Sequence, residues 1–154
     1  MRKVLRISGL GLLLALIAGQ FVQLPRNTGA TEGPASIVAV HQVPAEVRSI
    51  LRRACYDCHS NNTKYPWYAS VQPVAWWLSH HVAEGKAEVN FSDFARYDAK
   101  RAVRKLQSVA DEVRERQMPL KSYLLMHAEA KQTDAEVARV AAWAEGLADE
   151  IESR

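Results

Sequence analysis

The residues best suited to chemistry in this chain are Cys55, Cys58 and His59, which form a C-x-x-C-H motif. This spacing is the attachment signature of a c-type haem. Two thiols so spaced can reach the two vinyl groups on one edge of a porphyrin, and the next residue puts an imidazole under the iron. The motif therefore predicts a covalent haem, with Cys55 and Cys58 as thioethers and His59 as the proximal iron ligand.

Three other chemistries use closely spaced cysteines. A thioredoxin-like motif needs alternating strands and helices, and the sequence pattern shows no such alternation. A disulfide within the motif would close a loop too small to stabilise much, and it leaves His59 unexplained. A zinc site remains an alternative, but the chain has two cysteines and no second closely spaced ligand pair, so it would have to draw on His80, His81 and His127.

A second iron ligand is predicted at Met118, which follows His59 by 118 − 59 = 59 residues. Its thioether is a soft ligand that cytochrome iron accepts opposite histidine. Pro119 cannot continue a helix, so Met118 is expected in a loop before the last helix. The competing candidates for this position are Met126, His127, His80 and His81.

The 154 residues suffice for one domain with one modest core. Charge is distributed unevenly along them. The chain has 20 basic and 17 acidic residues, and its net charge is +3. Four basic residues and no acidic one precede position 27, which leaves 16 basic against 17 acidic residues beyond it. The composition therefore gives no reason to expect nucleic acid as a partner.

The N-terminal 24 residues begin with three basic residues and continue as an apolar run. This pattern predicts a membrane anchor or a signal peptide, with the anchor favoured, and places the domain in the periplasm, tethered to the inner membrane. Residues 25–42 are rich in turn formers and are predicted to be a flexible linker.

Residues 43–152 form the predicted domain, in which apolar residues at helical spacing indicate four helices. The first begins at Pro44 and leads into the motif, and the second occupies residues 70–85 with Gly85 as its stop. The third runs from an Asp98 cap to about Glu115, and the fourth starts at a Thr133 capping box and runs to about Glu152.

Three expectations follow for the surroundings of the haem. The last helix should pack across the first and close the haem crevice. Trp67 and Tyr68, in the loop after the motif, could shield the porphyrin or serve as ordinary core residues. The start of the third helix carries a basic cluster that could steer a redox partner, although a charge run is more often a solvated face: Arg96, Lys100, Arg101, Arg104 and Lys105.

Several long strings carry a resemblance to a known family: C-Y-D-C-H-S-N-N-T-K-Y-P-W-Y from Cys55, H-V-A-E-G-K from His81, N-F-S-D-F from Asn90 and M-P-L-K-S-Y from Met118. From about Val43 to Trp143 the sequence resembles the haem-binding domain family of small bacterial periplasmic proteins related to cytochrome c. The resemblance implies covalent attachment at Cys55 and Cys58, ligation by His59, and Met118 as the distal ligand. His81 lies within a shared string, so a His59 and His81 pair stays open.

The sequence thus predicts an all-α, cytochrome c-like domain that holds one haem c and its iron. We expect a periplasmic one-electron carrier that exchanges electrons with unidentified redox partner proteins and is not an enzyme in its own right. The alternative is a haem-based sensor or a peroxidase-type protein with an open or labile distal site.

Overall fold

The computed structural model describes residues 2–154, whose regular structure is helical. No β-strand occurs in this range, and its one isolated bridge joins Thr28 to Asn62. The prediction of an all-α fold is therefore confirmed. The helices are α1 (Arg2–Gly19), α2 (Ile37–Val40), α3 (Ala45–Ala54), α4 (Tyr56–His59), α5 (Val74–Glu88), α6 (Ala99–Arg114), α7 (Lys121–Leu124) and α8 (Asp134–Glu152), with 3-10 turns at Trp67–Ser70, Phe91–Arg96 and Ala128–Ala130.

The core is built on the long pair α6 and α8, with α3 packed against α8. The apolar stripes predicted from sequence are the buried faces, and Leu51, Leu106 and Val140 are each fully buried. Both predicted caps are present: the Asp98 side chain accepts from the Arg101 amide, and a capping box begins α8 at its N-cap, Thr133. No residue of α8 itself lines the crevice described below, so the expectation that α8 closes it is wrong.

Helix α5 differs from its prediction at Gly85. The helix continues to Glu88, and Gly85 lies within it. A Cβ atom at Gly85 would lie 2.9 Å from the carbonyl oxygen of Cys58 and 3.1 Å from its Cβ atom. The glycine is therefore not a helix stop: it allows α5 to approach the backbone of α4.

The segment from Asn27 to Ile37 is packed, although its composition predicted a flexible linker. The Asn27 amide donates to the Ser60 carbonyl at 2.9 Å and to the Thr63 hydroxyl at 3.0 Å. At its other end Ile37 is fully buried in the core. We call residues 27–37 the strap, because they hold the chain after the motif in place.

Helix α1 is 18 residues long and includes Arg2, Lys3 and Arg6. Among residues 2–154, no helix has the length and apolar character needed to cross a membrane. The structure therefore does not support the predicted membrane anchor. Beyond α1, the Gln20 side chain donates to the Gln72 carbonyl at 3.1 Å, and the Trp76 indole donates to the Val22 carbonyl at 2.9 Å.

We expect Gly85→Ala to destabilise the protein by about 1–3 kcal/mol, because its new methyl group would meet backbone atoms that cannot move independently. Gly146→Ala is the matched control: it lies within α8, and no atom lies within 4 Å of the added Cβ position. There alanine should stabilise by roughly 0.5–1 kcal/mol through helix propensity. Urea denaturation of the full chain measures both, and equal stabilisation by the two substitutions would contradict the close contact.

The Glu32 carboxylate in the strap binds two arginines. The Arg48 Nε–H donates to it at 3.2 Å and the Arg52 Nε–H at 2.8 Å. Hydrogen bonds from Arg48 and then Arg52 lower the pKa of Glu32 to about 2. Because folding lowers the pKa of Glu32, its interaction with the two arginines stabilises the fold fully above pH 4.5, the ordinary pKa of the group. This stabilisation is lost as the pH falls toward 2.

Glu32→Gln should therefore lower the free energy of unfolding by about 2 kcal/mol at pH 7, the size of a hydrogen-bonded charge interaction. The difference from the wild type should shrink below pH 4.5 and be lost as the pH falls through 2, because the protonated Glu32 carboxyl is then as uncharged as the glutamine amide. Glu115→Gln, at an exposed position, should leave stability unchanged at every pH. A pH-independent effect of Glu32→Gln in urea denaturation would refute the ionic explanation.

Candidate functional site

The motif residues lie at a break between two helices. Helix α3 ends at Ala54, Cys55 leaves helical geometry with φ −124° and ψ −39°, and α4 then forms a single turn that contains Cys58 and His59. The Tyr56 side chain, between the two cysteines in sequence, is buried in the core. The buried faces of α3 and of Tyr56 therefore fix the orientation of the three predicted haem-binding residues.

These residues line a crevice made of two adjoining cavities of about 460 and 410 Å³. Each is in the range that small-molecule and cofactor sites occupy. The first extends along α6, and the second lies between α5 and α7. Six residues line both cavities: Ala54, Cys55, His59, Glu88, Met118 and Pro119.

The His59 imidazole is hydrogen-bonded to the backbone near the end of α5. Its Nδ1 lies 3.1 Å from the carbonyl oxygen of Val89, just beyond the end of α5. A carbonyl can only accept, so Nδ1 carries the proton and Nε2 keeps its lone pair for a metal. Burial lowers the pKa of His59, which favours the neutral imidazole that ligation requires.

The two cysteines are free thiols in this structure. Burial raises the pKa of Cys55 to about 12, and burial followed by the charge of Asp57 raises that of Cys58 to about 11. Redox-active cysteines have a depressed thiol pKa, because the thiolate is the reactive form. The site therefore lacks the electrostatics of a thioredoxin-type dithiol.

Met118 lines both cavities and so shares the whole crevice with His59. His81 lines only the second, and its Nδ1 is 2.9 Å from the Trp77 carbonyl. Met126 is 60% exposed and lines neither cavity. Of the predicted candidates for a second iron ligand, Met118 is the one most fully within the crevice.

The other histidines do not gather around the motif. His80 is exposed beside Glu84 on α5, and the His127 Nε2 lies 2.8 Å from the Tyr68 hydroxyl, outside the crevice. Across residues 2–154, no group of three or more His, Cys, Asp or Glu side chains is placed to hold a metal ion. The zinc site considered from sequence therefore finds no support.

The lining of the crevice suits a large, flat and mostly apolar group with polar edges. Apolar side chains from the chain after α5 and from α6 form its walls: Val89, Phe91, Val109 and Val113. Both polar atoms of the Gln132 amide, in the same wall, are buried with no hydrogen-bond partner. Haem combines an apolar ring with polar substituents, so the residues present fit it.

A second tie joins the motif to the segment that carries Met118. The Tyr123 hydroxyl in α7 donates to Asp57 Oδ2 at 2.8 Å, while the Lys64 amide donates to Oδ1 at 3.1 Å. Asp57 lies between the two cysteines, and Tyr123 lines the second cavity. The loop from Met118 to Tyr123 is thereby held against α4.

The aromatic shield that the sequence suggested at Trp67 and Tyr68, as an alternative to core packing, is not found at these residues. Trp67 is 77% exposed, and neither Trp67 nor Tyr68 lines the crevice. The crevice aromatics are Phe91 and Tyr123, both within strings shared with the resembled family. Their position in those strings was the available signal, whereas the aromatic content of the loop after the motif was misleading.

Comparison with known protein families gives a match over most of the chain. A family model described as a haem-binding domain matches residues 14–146. No curated protein and no solved structure matches the chain. The matched range contains all the residues that line the crevice.

Proposed function

Because this chain belongs to the haem-binding domain family, we propose that the crevice holds one haem c, bonded through Cys55 and Cys58 and ligated by His59. The observation that carries the proposal is the His59 hydrogen bond to the Val89 carbonyl. This bond selects the tautomer in which Nε2 can ligate iron, and both thiols line the crevice beside it. Two thiols and a neutral imidazole are the donors that this attachment needs.

We propose Met118 as the second axial ligand and one-electron transfer as the function. Haem iron ligated by histidine and methionine supplies a one-electron couple of raised potential. The presence of Met118 in both cavities and the Tyr123 tie to Asp57 support this role. We do not assign a residue to acid–base or nucleophilic catalysis.

We further propose a periplasmic location and redox proteins as partners. The basic and apolar N-terminal segment is typical of exported proteins. The periplasm also suits covalent attachment of haem, because cysteine thiols there can be oxidised and then reduced before they are joined to the haem. From the same basic and apolar pattern we propose that this segment contacts the membrane.

Covalent attachment is tested by expressing the full chain with the c-type maturation machinery. We expect a Soret band and a pigment that stays with the polypeptide in acid–acetone, since thioether bonds survive that treatment. In a Cys55→Ala/Cys58→Ala variant any bound pigment should move into the organic phase. Colourless wild-type protein, or pigment extracted equally from both proteins, would reject the attachment.

Met118→Ala should abolish the weak far-red absorption of the ferric protein that marks sulfur-to-iron charge transfer, because the thioether is removed. Met126→Ala is the matched control, since its side chain is exposed and outside the crevice. That variant should keep the band. His81→Ala tests the other candidate and should also keep it.

The alternative function, a sensor or peroxidase-type site with an open distal position, has a different spectroscopic signature. It would give high-spin iron and rapid carbon monoxide binding in the wild type. A far-red band absent from the wild type, or lost in His81→Ala and kept in Met118→Ala, would reject Met118 as the ligand.

A further inference from the structure

Three basic side chains of α6 line the first cavity: Arg101, Arg104 and Lys105. Their spacing of three and four residues places them on one face of the helix. No other lysine or arginine lines either cavity among residues 2–154. The crevice therefore has a single cationic edge, formed by one helix.

These cations have no carboxylate partners within the described part of the chain. Arg101 and Lys105 lie over the Tyr97 ring, and no ion pair forms to any of the three. Glu88 and Glu112 line the same cavity without pairing with them. Arginines elsewhere do have such partners: Arg48, Arg53, Arg114, Arg116 and Arg139.

Lys105 has an incomplete set of hydrogen bonds. Its ammonium donates to the carbonyls of Ala87, at 3.1 Å, and of Glu88, at the end of α5. An ammonium has three N–H donors, so one remains. Burial, and then the charge of Arg101, lowers the pKa of Lys105. An anion placed here would offset this mutual repulsion.

From this arrangement we propose that Arg101, Arg104 and Lys105 form the site for the haem propionates. The inference rests on the proposed haem site and extends it to the orientation of the ring. The vinyl and propionate groups lie on opposite edges of a porphyrin, so attachment at Cys55 and Cys58 directs the carboxylates away from the motif. The single cationic edge of the crevice, on α6, receives them.

The test uses the full-length, haem-loaded protein and the variants Arg101→Gln, Arg104→Gln and Lys105→Gln. Lys100→Gln is the matched control, because it removes the same charge from the same helix at an exposed position outside the crevice. The readouts are the haem content per chain, the reduction potential and the resonance Raman band of propionate bending, which responds to hydrogen bonds on the carboxylates.

We expect each crevice variant to keep its haem, to show a shifted propionate band and to have a lower reduction potential, since a cation that disfavours ferric iron is lost. Lys100→Gln should match the wild type. A propionate band unchanged in all three crevice variants would overturn the proposal, even if their electron transfer to an acidic partner slowed. An equal shift of the potential in Lys100→Gln would overturn it as well. Failure of the wild type to bind haem would instead refute the proposed function.

Discussion

The close contact between α4 and α5 is the constraint on which the site depends. Gly85 lets α5 approach the Cys58 backbone, and α5 then ends at Glu88, directly before Val89, whose carbonyl accepts from His59. A displaced α5 would remove that acceptor, and the imidazole would no longer have a fixed proton or a fixed orientation. The orientation of the His59 imidazole is thus a consequence of helix packing, because its hydrogen-bond acceptor is a backbone carbonyl outside the motif.

Two further ties hold the motif from its other sides. The strap fixes the chain after α4 through Asn27, and the Tyr123 hydroxyl fixes α7 through Asp57. Each is a contact between segments distant in sequence, so the position of the motif depends on the fold of the whole chain. The second tie also restrains the loop of Met118. The segments that carry the two proposed axial ligands are therefore both fixed relative to α4.

The sequence predicted the helices best where periodicity and caps agree, as in α3, α6 and α8. The Thr133 capping box and the stripe that includes Val140 lead to the same boundary and the same buried face. It failed where a residue has two physical uses. Glycine ends helices but also allows close approach, and Gly85 does the second. Turn formers are typical of linkers, yet Asn27 uses its amide to bind another segment. The motif itself was recognisable because its chemistry fixes its spacing, whereas the walls of the crevice depend on long-range packing.

The role of α6 shows why a helical pattern does not by itself identify a cofactor edge. The apolar stripe of α6 packs on α8. From the sequence, the other faces of α6 could be solvated or could bind a partner, because helical periodicity does not show which polar residues border a cavity. The structure separates these faces: Arg101 and Arg104 line a cavity, whereas Lys100 does not. Apolar walls and a cationic edge in one crevice are costly to leave uncovered, the first because of hydration and the second because of repulsion. A ring with two carboxylates relieves both, so in our proposal the cofactor completes the core, and its attachment should raise the stability of the fold.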